Sequence, residues 1–244
     1  IFNGIEKEAL SKGYNVITGI SNESFEKEKQ VMDMLNNGTI DGFIVAVAEE
    51  TQALKEHQHF KDIINSGTPI VMFDRVAETV NCDKVIVDDF ESSFEATQHL
   101  LKLGSKNIAL VSTIDNLSVG KLRVGGFKKA MEASNLALNN QLIVIENDIE
   151  VFDTKLAGLF NAKKVDAVFA LDEHASTMAM KFALKKGIKI PEELNIIGFA
   201  DGVWSRRLTP SLSTVSQHAP EIGAKAAELL IHKLNSKDEF YQPQ

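Results

Sequence analysis

The chain has 244 residues, 44% hydrophobic and 25% charged, a globular composition with room for one large domain or two smaller ones. No apolar run approaches the roughly 18–20 residues that a membrane helix needs, and no secretory signal is visible. The net charge of −8 repels a phosphate backbone and speaks against nucleic-acid binding by these residues, while the single cysteine, Cys82, excludes an internal disulfide and favours a reducing compartment.

The opening stretch IFNGIEKEALSKGY reads as a helix in progress, so the natural start is expected upstream. The run YNVITGI follows, then an amphipathic segment around Val31, Met34 and Leu35. GFIVAV precedes a helix over 52–66, and PIVMFD comes next. Later, NIALVS precedes a helix at 119–134, LIVIE one at 153–163, and DAVFAL one at 173–187, with NIIGFA after it. Short apolar runs separated by helices predict parallel strands buried on both faces. The helices carry apolar stripes at the matching period, such as Val124, Phe127, Met131 and Ala175, Ala179, Phe182, Ala183. Gly13, Gly104 and Gly187 sit where helices should stop.

The alternation breaks twice. Between PIVMFD and KVIVDD there is room for a loop but no helix. Parallel neighbours usually need a crossover of a dozen residues or more. These two runs are therefore expected in different relationships to a sheet, one leaving a lobe and one entering the next. The second break separates NIIGFA from SLSTVSQ, after which a last helix occupies 219–236. The pattern predicts an α/β fold of two Rossmann-like lobes with parallel sheets and chain crossings between them. Residues 1–88 plus 218–244 would form the first lobe, and 89–217 the second.

In open α/β sheets, ligands bind beyond the carboxyl ends of the strands. Here those ends read Asp74-Arg75, Asp88-Asp89, Asp172-Glu173 and Asp201. Carboxylates accept from hydroxyls, guanidinium groups donate to them, and aromatic faces cover the apolar side of a sugar ring. Arg123, expected in the first turn of its helix, is a candidate donor, and Trp204 a candidate platform. Each has a plainer structural reading. Asp172 can simply cap a helix, with Glu173 complementing its dipole. Asp88 can tie down a crossover, Asp74-Arg75 can form a local ion pair, and Arg123 can be solvated. Trp204 can be core or lobe interface, and Arg206 and Arg207 a solvated loop.

Catalytic constellations are absent: there is no G-x-S-x-G, Walker A or G-x-G-x-x-G pattern. The pair His57 and His59 is spaced i, i+2, where rings on a helix diverge, so no metal site is expected. No cofactor is expected either.

The segments PIVMFDR, VIVDD, HLLKLGSKNIALVS, RVGGFKKAM, DAVFALDEHA, KKGIKIPEELNIIGFADG, TPSLSTVSQ and EIGAKAAELLIHKL occur in that order. As an ordered set covering nearly the whole chain, they resemble the effector-binding region of lactose-repressor-type transcriptional regulators, whose sheets are of the type I periplasmic-binding-protein class. The resemblance implies a small-molecule effector, sugar-like in chemistry, bound between the lobes and modulating operator binding. DNA would be bound through a helix-turn-helix absent from these residues. It also implies a homodimer, a cytoplasmic location, no membrane association and no enzymatic activity. The first strand of the first lobe is expected upstream of these residues and the last strand downstream.

By resemblance, Asp74 matches an effector-contacting acid, Arg123 of R-x-x-G-F a sugar-contacting arginine, and Gln217 a crossover residue near the ligand. Two positions depart. Ala200 stands where the family usually has an effector-binding acid, and Leu171 where it has an asparagine. Asp201 or Glu173 would then take over, or the effector would be more apolar. If Asp74 and Arg123 serve binding rather than folding, their alanine variants should keep near-parental melting. Two other readings share the architecture: a secreted periplasmic sugar-binding protein of a transporter, and an α/β enzyme.

Overall fold

A computed structural model describes residues 1–136, 138–162 and 164–236, the side chains of Val203 and Trp204 excepted. The chain divides into two units, residues 1–87 with 218–244, and residues 88–217, so it passes between them twice.

The first unit contains α1 (Phe2–Ser11), α2 (Phe25–Leu35), β1 (Phe43–Val45), α3 (Glu49–Leu54), α4 (Gln58–Asn65), β2 (Ile70–Phe73) and β3 (Asp83–Val85). The sheet order is β1-β2-β3, all parallel, with Phe43 opposite Ile70 and Val71 opposite Asp83. Successive side chains leave opposite faces. Phe43, Val45, Ile70 and Met72 pack on Met32 of α2 and on Phe60 and Ile63 of α4. Val71 packs on Ala226, Leu229 and Leu230 of the last helix (α10, Ala219–Asn235). Both faces are covered, which is why these strands read as unbroken apolar runs.

Three expectations are corrected here. The run YNVITGI forms no strand and pairs with none, leaving Ile17 and Ile20 exposed at 57% and 70%; strand propensity builds a ladder only where a partner edge is available. The expected helix over 52–66 is two helices, because Lys55 adopts a left-handed φ of 56° and ends α3. PIVMFD and KVIVDD supply parallel neighbours of one sheet, β2 and β3, although no helix joins them. The loop covers the sheet in a helix's place: Ala77, Val80 and Cys82 are buried in the same core as Phe60.

The second unit is a regular βα succession. It runs α5 (Asp89–Lys102), β4 (Ile108–Ser112), α6 (Ser118–Ala133), β5 (Ile143–Ile145) and α7 (Ile149–Ala162). It continues through β6 (Ala167–Ala170), α8 (Glu173–Lys185), β7 (Asn195–Phe199), α9 (Val203–Arg207) and β8 (Ser213–Val215). Its five strands lie in the order β5-β4-β6-β7-β8 and all pair in parallel. Ala109, Val111, Val168, Ala170 and Ile196 face α7 and α8. Leu110, Phe169, Leu171, Ile197 and Phe199 face α5 and α6. The second break in the alternation thus contains a helix after all, the five-residue α9.

Helices α5 and α6 touch closely. A Cβ on Gly126 would lie 2.1 Å from the Phe90 carbonyl oxygen, so only glycine permits this approach. The Ser93 hydroxyl on α5 donates to the Arg123 carbonyl on α6. This contact places the Arg123 side chain beneath the start of α5.

Candidate functional site

At the carboxyl end of the second unit's sheet, Arg123 is the most constrained polar side chain. It lies in the second turn of α6, not the first, and is 3% exposed. Its Nε donates to Asp89 Oδ1 at 2.6 Å and its Nη1 to the Leu171 carbonyl at 2.7 Å. The guanidinium carbon sits 3.9 Å from the centre of the Phe199 ring. Nη2 is buried and has no hydrogen-bond partner among the described residues. A buried N–H without a partner is costly and rare, and a ligand acceptor is the kind of group that satisfies it. The solvated reading of Arg123 is therefore overturned. So is the expectation that Arg123→Ala spares stability, because the loss leaves the buried Asp89 carboxylate without its cation.

The acids divide into engaged and free. Asp172 caps α8: one carboxylate oxygen accepts from the Ala175 N–H at 2.8 Å, the other from the Thr113 N–H at 2.7 Å. Asp88 caps α5 by accepting from the Glu91 N–H. Asp201 Oδ1 accepts from the Ser216 hydroxyl at 2.6 Å and from the Gln217 backbone N–H at 2.9 Å, tying the end of β7 to the segment after β8. Glu173 opens α8 with its carboxylate against Gly202, where a Cβ would meet Oε1 at 2.2 Å. The Glu173 carboxylate and the Gln217 side-chain amide make no hydrogen bond or ion pair among the described residues. Trp204 belongs to α9 by its backbone, and its side chain lies outside the described residues.

The first unit holds Asp74 and Arg75. Asp74 has a left-handed φ of 57°, and its N–H donates to the Val85 carbonyl, closing the ends of β2 and β3. Its carboxylate also has no partner among the described residues. Arg75 does not pair with Asp74; its guanidinium forks onto both Glu23 oxygens at 2.7 and 2.8 Å. Burial pushes the Glu23 carboxyl up. The Arg75 hydrogen bonds, the Glu49 N–H and the guanidinium charge outweigh it and hold the group below its ordinary value. Sequence gave no signal for this pairing, since 52 residues separate the partners.

The two departures are core residues. Leu171 is fully buried, and Ala200 is 5% exposed. Only the Leu171 backbone carbonyl serves the arginine. Sequence reasoning missed Asp89 and Phe199 as its other partners. Asp89 followed a strand as conspicuously as Asp88, but adjacent acids cannot be told apart until the helix start is fixed. His57 and His59 do diverge: the first meets Thr79, the second Glu28. Among the described residues no group of three or more His, Cys, Asp or Glu side chains could hold a metal ion.

A family model described as a periplasmic binding protein-like domain matches residues 97–243. The chain is 28% identical over 222 residues to the HTH-type transcriptional regulator DegA of Bacillus subtilis, covering 91% of this chain and 65% of that protein. It is 27% identical to the HTH-type transcriptional repressor PurR of Vibrio campbellii, covering 98% of this chain and 71% of the repressor. The chain thus spans about two thirds of the length of these curated relatives. Among solved structures, a periplasmic binding protein/LacI transcriptional regulator from Alkaliphilus metalliredigens, complexed with D-xylulofuranose, superposes with a TM-score of 0.78 at 24% identity. That match covers 96% of this chain and 84% of the other. The parallel sheets and the match over more than half of the sequence lead to one assignment: the chain belongs to the periplasmic binding protein-like domain family.

Proposed function

We propose that the chain is the ligand-sensing portion of a DNA-binding transcriptional regulator. The observation that carries this reading is Arg123, held rigidly by Asp89, Leu171 and Phe199 with one buried donor left over. The effector presents an acceptor oxygen to Nη2. Within the same unit, the carboxylate of Glu173 and the side-chain amide of Gln217 are the further polar groups open to it. A carbohydrate or related metabolite fits this chemistry. The names of DegA and PurR, and the sugar bound in the Alkaliphilus protein, support the reading.

In this proposal the whole protein acts in the cytoplasm as a homodimer, since two heads reach a two-fold pair of DNA half-sites. DNA is read by residues outside this chain, and the effector biases that reading through its differential affinity for two states. No helix among the described residues is long and apolar enough to cross a membrane. The role is binding without turnover.

Calorimetry and thermal shift against monosaccharides, disaccharides and sugar phosphates test the reading. Arg123→Lys keeps a cation beside Asp89 but removes Nη2. It should stay folded and lose roughly tenfold or more in affinity for whichever sugar binds the parent, as charge-assisted contacts do. Unchanged affinity in this variant, or no binding by the parent across the panel, overturns the proposal.

A further inference from the structure

A hollow lies in the second unit at the amino end of its sheet, the end away from Arg123. It measures about 430 Å³ and is bounded by Ile108 and Ile143, which open β4 and β5, by Phe127 and Met131 of α6, and by Leu138 and Leu142. Small-molecule pockets of roughly 300–1,000 Å³ are of this size. At about 30 Å³ for a water in the liquid, it has room for on the order of a dozen non-hydrogen atoms. Ile108, Phe127, Met131 and Leu142 are buried, so the floor is apolar and preformed, while Leu138 is exposed at the mouth. The rim supplies donors. Neither the Lys106 ammonium nor the Asn139 amide NH2 has a partner among the described residues. Asn139 Oδ1 accepts from the Gln141 N–H, which leaves that NH2 as the amide's open side. Neighbouring acceptors are taken. The Asp166 carboxylate accepts from the Lys106 and Asn107 N–H groups and from the Asn107 amide. The last carbonyls of α6, at Ala130 and Met131, accept from Ser134 and Leu136.

We propose that this hollow is a second ligand site, taking an organic acid with an apolar body of about six to ten carbons, and that its occupancy is felt at Arg123. A hydrocarbon would cover the floor but leave the ammonium and the amide unused. A sugar would bury hydroxyls against the floor without partners. A carboxylate at the rim meets both donors in charge-assisted bonds, and its tail covers the floor. The link to Arg123 is a line of packed rings that begins four residues further along α6. The Phe127 ring lies 6.3 Å from that of Phe169, and Phe169 lies 6.0 Å from Phe199, over which the Arg123 guanidinium sits at 3.9 Å. All three rings are buried, and close-packed groups transmit a displacement instead of absorbing it. Helix α6 cannot take up the shift by leaning on α5, because Gly126 already meets the Phe90 carbonyl. A tail resting on Phe127 therefore displaces the rings that seat Arg123. The regulatory consequence rests on the sensing role of Arg123; the site itself does not.

Octanoate and octanol, which share a tail and differ in charge, test the proposal by calorimetry on the chain of residues 1–244. In parallel, NMR follows the Arg123 Nε–H, assigned by its absence in Arg123→Lys. Octanoate should bind saturably and more tightly than octanol, and should shift the Nε–H signal. Lys106→Gln should weaken octanoate about tenfold and leave octanol unchanged, as loss of a charge-assisted contact does. Leu138→Trp, at an exposed position, should close the mouth and abolish binding of both probes without lowering the melting temperature. Absence of saturable octanoate binding overturns the proposal, as does octanoate binding that either variant leaves intact. Binding that leaves the Arg123 signal unmoved also overturns it. The probes carry no sugar hydroxyls and no effector is added, so the outcome is independent of whether sugars bind.

Discussion

Arg123 shows how little a residue's type reveals about its energetics. As a guanidinium on a helix near a strand end, it has the chemistry of a ligand contact. Its 2.6 Å pairing with Asp89, both side chains under 5% exposed, makes it a folding residue as well. Arg123→Ala should lower stability by about 3–5 kcal/mol in urea denaturation, the cost of stranding a buried charge. The double variant Arg123→Met, Asp89→Leu should recover much of that loss. A loss below about 1 kcal/mol for the single variant would place the pair in the solvent-screened class. Glu23 and Arg75 belong to that class, with Glu23 about half exposed. The folded state holds the Glu23 carboxyl below its ordinary value of 4.5. Its contribution, at most about 1 kcal/mol after screening, is therefore complete above that value and disappears as pH falls through the lower folded one. The stability difference between the parent and Glu23→Gln should be constant near neutrality and close on acidification below about pH 4.5. A difference that persists undiminished in acid would show that packing, and not the charge, accounts for it.

At the level of elements, glycines separate close contact from mere flexibility. On α6, Gly126 faces the Phe90 carbonyl at 2.1 Å from its would-be Cβ, with Ser93 also near. Gly158 in α7 would meet nothing within 4 Å. Gly126→Ala should push α5 away and cost about 1–3 kcal/mol, as overpacking does. Gly158→Ala should stabilise by about 0.5–1 kcal/mol through helix propensity and lost unfolded-state freedom. Melting of the two variants checks both, and a neutral Gly126→Ala would mean the helices part at little cost. The effect would extend beyond packing, because the same contact seats Arg123 under α5.

For the whole molecule, chain continuity is the governing fact. Residues 88–217 form one uninterrupted unit whose five-stranded sheet is covered on both faces by its own helices. A unit with its own core folds alone. A fragment of these residues should therefore show cooperative thermal unfolding, whereas residues 1–87 without α10 should not. Helix α10 supplies Ala226, Leu229 and Leu230 against Val71, so its removal uncovers one sheet face. Non-cooperative melting of the 88–217 fragment would show that the unit depends on the rest of the chain.

The sequence by itself determined the class of fold and most elements. Runs such as Ile108–Ser112 and Asn195–Phe199 are apolar throughout because both sheet faces are covered, and that pattern is local. Asp172 was legible as a cap because a cap depends on the next three residues alone; Asp88, read as tying down a crossover, turned out to cap α5. What only the tertiary structure decided was partnership across the chain. It made β2 and β3 neighbours without a helix, left residues 14–20 unpaired, put Arg75 on Glu23, and buried Arg123 between Asp89, Leu171 and Phe199. Periodicity records which side of an element is buried. It does not record which distant residue meets it there, because that is fixed by packing between elements whose order in space the local pattern leaves open.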